Sequence, residues 1–404
     1  MNHAELTLRM REAMILRSAF LRLLVCGALG ENDRQDLISA HPRTWRLVLT
    51  AECCALPVAE RLRTAGYFTL LTNDCRVEVE QAEIQELQRV MAARSVLRYL
   101  DKVAVRVGVR IAILKGGAVL ADRSRSPVDL GDVDVLISPA HASAIWQALL
   151  SDGWQPRYEG PISLNEMIAS DRFVPIVSPG VGLPVDLHLT FDDTLRIRMT
   201  NGQTVAPLAD YRALDRLTGP RAFTAQLRHA TVRHPYRRGH LRDLVLLVGE
   251  LIGLGQGELQ QVWSAIEQDV QALELREMLE QICACRDGVP PMISANNQSL
   301  VVWKYLSVLQ PRSSARHFSR EWSALSFMAL ERGPARRARY RALLRDAIHP
   351  PPEDTRVRAA RFPGWIPKWT ISTGRGVFRL ALVGSLAATG WLVRRRMRRF
   401  GGDD

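Results

Sequence analysis

The chain has 404 residues, 47% hydrophobic and 24% charged, with a formal net charge of +12. That length and apolar content suffice for two or three structural units and exclude a mainly disordered chain, while 27 glycines and 21 prolines exclude collagen-like and low-complexity classes. The charge is uneven, because residues 311–404 carry 20 Lys+Arg against 7 Asp+Glu and leave 34 basic and 35 acidic side chains to the first 310 residues, so a near-neutral body precedes a basic tail suited to anionic partners.

Residues 4–30 and 34–65 read as helical: Leu16, Phe20, Leu23 and Leu24 follow helical spacing, as do Trp45, Leu47, Val48 and Ala51. Pro42 sits near the start of one helix and Gly66 beyond the end of another. A further helix spans 76–107 and stops at Gly108, which makes 1–108 a helical N-terminal unit. The pattern then changes. Residues 109–114 read as a strand ending in the Lys115-Gly116-Gly117 turn, 133–137 as a second strand, and 139–151 as a helix that Ser138 could cap. Strands at 173–177 and 185–189 complete an α/β (α+β) core over 109–215. From 206 the signal is helical again, through RALDRL, TAQLRHATVRH, LRDLVLLVGELIGLG and the long run to Arg286, giving a helical unit over 216–345 with further helices at 297–309 and 317–345. Residues 346–376, with five prolines and two tryptophans, read as a linker, and 377–404 as an apolar helix with a basic end.

The six cysteines form no Cys-x-x-Cys pair, and Cys283-Ala-Cys285 lacks zinc-knuckle spacing. The N-terminus has no signal-peptide core. Together these point to a reducing cytoplasm and buried, inert thiols.

Alternation on two strands carries the chemistry. Residues two apart share a face, so Asp132 and Asp134 project together while Val133 and Val135 point into the core. In Val185-Asp-Leu-His-Leu189 the alternation sets Asp186 and His188 on one face. Adjacent carboxylates repel unless a cation neutralises them, and hard oxygen donors suit Mg²⁺ or Mn²⁺. If the two strands are neighbours, Asp186 completes a three-carboxylate cluster able to hold metals for phosphoryl transfer. Gly116 and Gly117 would let backbone amides approach phosphate oxygens, with Lys115 adding positive charge.

A strand followed by Gly-Gly, then Asp-x-Asp, then a third aspartate resembles the nucleotidyltransferase fold of the DNA polymerase β type. More narrowly, Leu114-Lys115-Gly116, Asp132-Val133-Asp134-Val135-Leu136 and Val185-Asp186-Leu187-His188 are similar to the motifs of a bacterial group of uncharacterised nucleotidyltransferases. The lead-in with Trp45 and Ala55-Leu56-Pro57 and the His229, His234 and Leu241-Arg-Asp-Leu stretch also look similar, so the likeness covers about residues 30–260. The resemblance implies a polymerase-β-like core flanked by helical units. It also implies metal-dependent transfer of a nucleoside monophosphate from an NTP to an acceptor hydroxyl, with pyrophosphate released. Asp132, Asp134 and Asp186 would then be catalytic and metal-binding, and Lys115, Gly116, Gly117 and His188 nucleotide-binding. The chain departs from the group at Val128, where an arginine is usual, and at Leu189, where tryptophan is usual.

Plainer readings stand beside these. Lys115 could be a solvated strand end, the two glycines only a turn, and His188 a packed histidine. His229 and His234, five apart, share no helical face and read as structural, and Asp243 reads as a cap or an arginine's partner. In the tail, Leu380–Val393 is 14 uncharged residues followed by Arg394-Arg-Arg-Met-Arg-Arg399. A spanning helix needs about 20 apolar residues, so residues 377–399 suit attachment to the inner, anionic membrane surface. Nucleic acid is the weaker partner, since no aromatic-interleaved basic motif is present. Two rival functions follow: a degenerate protein that binds nucleotide or a partner without turnover, and a membrane-surface adaptor acting through its tail.

Overall fold

The computed structural model describes residues 3–122, 130–157, 163–170, 173–178, 180–191, 205–233, 240–269 and 272–289. The expected helices at 297–309 and 317–345, the proline-rich linker and the apolar basic segment all lie outside the described residues, as do Val128 and His234.

The helical N-terminal region resolves into α1 (His3–Cys26), α2 (Glu31–Ser39), α3 (Pro42–Glu52), α4 (Ala55–Thr64) and α5 (Asn73–Val107). The breaks have local causes. Pro42 opens α3, where it lacks only an N–H that would have no partner, and the His41 ring accepts from the Arg43 N–H at 3.1 Å. Cys53 takes a left-handed backbone (φ 49°) and ends α3. At the start of α4, the buried Glu86 carboxylate of α5 accepts the N–H groups of Ala55 and Leu56 at 3.0 and 2.9 Å, and Pro57 has none to offer. Thr72 caps α5 through the Cys75 N–H, and Gly108 closes it at φ 74°. Trp45 is fully buried against Phe20, with ring centroids 5.0 Å apart.

Seven strands form one mixed sheet in the order β3-β4-β5-β2-β1-β7-β6. They are β1 (Ile111–Ile113), β2 (Val133–Leu136), β3 (Gln155–Pro156), β4 (Ile176–Val177), β5 (Pro184–His188), β6 (Val205–Pro207) and β7 (Leu214–Leu217). Strand β7 corrects the helical reading of RALDRL: it lies parallel to β1, with Ala112 level with Asp215. Asp215 is buried because Arg110 clamps it, Nε to Oδ2 at 2.9 Å, so a charged residue sits in an inner strand. Lys115 and the two glycines belong to α6 (Lys115–Ala121), not to a turn before it. The helix expected over 139–151 begins as a short 3₁₀ turn and continues as α7 (Ala142–Ser151), and Ser138 makes no side-chain capping bond.

Beyond β7 come α9 (Gly219–Arg228), a π-helical turn at His229–Arg233, α10 (His240–Ile252), α11 (Gln256–Glu267) and α12 (Ala272–Arg286), while α8 (Leu164–Ser170) precedes β4. The long run to Arg286 thus holds two helices, one ending at Glu267 and the other beginning at Ala272.

Both faces of the sheet are covered. Ile113 and Val133 face α6 so closely that a Cβ on Gly117 would stand 2.8 Å from the Ile113 Cγ2. Glycine is therefore required there by close approach rather than by backbone angle. The opposite face holds the cluster Ala112, Leu114, Leu136, Phe191, Leu217, Ala222 and Ala225, which packs α9 on the sheet. By strand alternation Asp134 shares this second face with Leu136. Among the described residues no helix is long and apolar enough to cross a membrane. Of the cysteines, all free, Cys53, Cys54, Cys75 and Cys285 are buried, but Cys26 is exposed and Cys283 half-buried, which corrects the expectation of uniformly buried thiols.

Candidate active site

The two aspartate strands are neighbours. β2 and β5 run parallel in a register that sets Asp134 beside Asp186 and Leu136 beside His188. Asp132 stands one residue before β2, two from Asp134 and so on its face. The alternation of small apolar residues explains the arrangement: Val133, Val135, Val185 and Leu187 are buried, and their intervening partners turn to the other side.

Asp134 is the most deeply held of the three. Its Oδ1 receives the Lys115 Nζ at 2.8 Å and faces the His188 Nε2 at 3.0 Å. Burial opposes its ionisation, but Lys115, the His188 hydrogen bond and the positive potential of His229 outweigh it, and the carboxyl is held well below the ordinary range. Lys115 reaches Asp134 from a backbone with φ 53°, a left-handed conformation unusual for a side chain of this size. Its ammonium also lies 5.9 Å from the centre of the Phe191 ring, which is buried beneath it.

The other two carboxylates are pushed the opposite way. The Asp186 carboxyl is raised to about 6 by burial and then by the charges of Asp132 and Asp134. Its Oδ1 is buried with no hydrogen-bond partner among the described residues. Asp132 has surface open to solvent, yet the protein packed around the carboxyl, with Asp134 beside it, raises it as well, and Lys115, Arg242 and His188 only partly offset this. Among the described residues, three carboxylates thus meet one close ammonium, which compensates one of them.

Protein-family models, curated proteins and solved structures give no match to this chain. The site's chemistry rests on its own geometry.

Of the residues singled out in the sequence, Lys115, Asp132, Asp134, Asp186 and His188 come together along one face of β2 and β5. Gly116 and Gly117 lie buried in the first turn of α6, where Gly117 makes the close approach to the sheet. Sequence reasoning missed Phe191, which floors Lys115, and Arg242, whose charge reaches Asp132 from the first turn of α10. It read His229 as structural: the ring stands 6.2 Å from that of Phe191, and a positive charge on it would favour the ionised Asp134. Asp243 pairs with Arg242 at 2.7 Å, in line with its reading as an arginine's partner. These positions are far from Asp132 in the chain and carry no periodic signal of their own.

The carboxylates fit a hard divalent cation by donor type, by their uncompensated charge and by the orphaned Asp186 Oδ1. They do not form a ready-made cage: among the described residues no three His, Cys, Asp or Glu donors converge at metal-binding distance. Lys115 holds the Asp134 oxygen that such an ion would need.

Proposed function

We propose that this chain is a metal-dependent nucleotidyltransferase that moves a nucleoside monophosphate from an NTP to an acceptor hydroxyl and releases pyrophosphate, within a polymerase-β-like core. The observation that carries the reading is the register of β2 on β5, which sets Asp134 beside Asp186, with the Asp186 Oδ1 buried and unpartnered among the described residues. Asp132, Asp134 and Asp186 would hold Mg²⁺ or Mn²⁺, which when bound neutralises phosphate charge and acidifies the acceptor hydroxyl.

The chain's own groups divide the remaining work. Asp134, ionised throughout the physiological range, anchors the cluster. Asp186 would join the ion that acidifies the acceptor hydroxyl or, with its carboxyl raised to about 6, take the acceptor's proton itself. Lys115, once released from Asp134, carries its charge to the phosphates on a flexible four-carbon stem. The first-turn amides of Gly116 and Gly117 are the backbone donors nearest to it in sequence. His188 keeps Asp134 oriented while Lys115 moves.

The test is a calorimetric titration of ATP, GTP, CTP and UTP with Mg²⁺ into wild type and the Asp132→Asn/Asp134→Asn double variant. Metal-dependent binding that the double variant loses supports the reading, and pyrophosphate release with added acceptors extends it to turnover. Wild-type protein that binds no nucleotide under any condition defeats it.

A second reading is a nucleotide-binding protein without turnover. It is favoured by the saturation of the Asp134 Oδ1 by Lys115 and His188. Nucleotide binding without pyrophosphate release, across acceptors and both metals, would select it.

A further inference from the structure

Helix α5 is 35 residues long, about 52 Å at 1.5 Å per residue. One side of it packs on α3, α4, α6, α7 and the sheet. The other side is open, and its exposed large hydrophobics are Val77, Ile84, Leu87, Met91 and Val105. Four of these, Val77, Ile84, Met91 and Val105, recur at intervals of seven or fourteen residues on one stripe, and Arg98 fills the missing place in the series. A seven-residue apolar recurrence on the outside of a long helix is the pattern of a surface that meets another helix. Beside the stripe, a shallow groove of about 340 Å³ between α4 and α5 is walled by Leu56 and Pro57 and rimmed by Glu60, Arg63, Thr64 and Glu83.

Charge along α5 names the partner. Leaving out the buried Glu86, residues 73–85 carry four carboxylates and one arginine, and residues 87–107 carry five cations and one carboxylate. A helix divided in this way repels a parallel copy of itself and attracts an antiparallel one. With a two-fold axis through Met91, each stripe residue meets a suitable mate. Val77 lies level with Val105, Ile84 with the aliphatic stem of Arg98, and Met91 with itself. Glu80 then falls level with Lys102, and both are exposed with no ion pair among the described residues. The surface lies on the side of α5 away from the sheet and does not depend on what the carboxylate site does.

We infer that two copies of this chain associate through the outer face of α5, antiparallel about a two-fold axis at Met91. The stripe supplies the apolar centre, and the Glu80–Lys102 pairs fix direction and register.

Sedimentation velocity of the full chain over a range of concentrations tests the inference. A concentration-dependent dimer is expected, and Ile84→Glu/Met91→Glu, both at exposed positions, should leave monomer with an unchanged circular dichroism melt. Glu80→Lys should raise the dimer dissociation constant roughly tenfold by facing Lys102 with a like charge, and adding Lys102→Glu should restore it. Met91→Cys should form an intermolecular disulfide under mild oxidation beyond any formed by wild type, since only a residue on the axis meets its own copy. Monomer at every concentration overturns the proposal, whether the face is bare or taken by another part of the chain. So does a dimer that the Glu substitutions leave intact, or one in which Met91→Cys fails to cross-link.

Discussion

Asp186 shows the site's economy most directly. Its carboxyl is raised to about 6 from an ordinary 3.8, so between those values the folded chain binds more proton than the unfolded one. Stability contributed by this group is therefore full below pH 4 and falls as pH rises towards 6. At neutral pH the ionised carboxylate is a burden of up to about 3 kcal/mol, since each tenfold change in proton affinity is worth ~1.4 kcal/mol. Asp186→Asn should raise the melting temperature of the metal-free protein at pH 7.5, and the gain should vanish as pH falls through 6 towards 4. The same variant should lower nucleotidyl transfer by at least ~100-fold if Asp186 takes the acceptor's proton. Thermal melts across pH check the first part, and an unchanged melt at pH 7.5 would mean that the group is compensated. Lys115 is the converse case. Lys115→Met removes the only ammonium bonded to the buried Asp134 among the described residues, and it should cost about 3 kcal/mol in chemical denaturation at neutral pH. That loss should shrink at low pH, where protonation of Asp134 removes the stranded charge.

At the scale of elements, α6 is held by what Gly117 lacks. A Cβ there would press on Ile113 at 2.8 Å, inside the sheet, so Gly117→Ala should cost about 1–3 kcal/mol as α6 lifts away from β1. It should also weaken nucleotide binding, because Lys115 sits at the foot of the same helix. A substitution tolerated in both assays would show that the helix has room to move. The elements that position the carboxylates were the legible ones. Two-residue alternation on β2 and β5 puts Asp134, Asp186 and His188 on one face from the sequence alone, since buried valines and leucines leave little choice of side. Strand β7 was not legible, and the reason is physical. Leu214 and Leu217 are three apart, as on a helix, and the strand's buried Asp215 looks polar until Arg110 is seen to clamp it from β1's side of the sheet. Strands β3 and β6, two and three residues long, are too short for any period to register. Phe191 was invisible for another reason, and Arg242, though within the Leu241-Arg-Asp-Leu stretch, gave no sign of its role: both reach the site by tertiary packing alone.

Across the whole molecule, the first helix and the tenth are joined by one buried carboxylate. Glu52, fully buried at the end of α3, accepts the Arg17 Nε of α1 at 3.0 Å and the Leu241 backbone N–H of α10 at 3.0 Å. Leu241 precedes Arg242, the residue whose charge reaches Asp132, so the junction that binds N-terminal helices to α10 also sets the start of the helix carrying that arginine. Glu52→Ala should take one carboxylate partner from the buried Arg17 guanidinium and the acceptor from the Leu241 N–H together, with a loss of about 3–5 kcal/mol. It should also weaken nucleotide binding as α10 shifts. Arg17→Met/Glu52→Leu separates the two effects. Replacing both charges with apolar groups of similar volume should recover most of the stability, but it leaves the Leu241 N–H without its acceptor. If binding stays weak while stability returns, the position of α10 governs the site. If both return together, the pair matters only as a fold contact and Arg242 finds its place without it.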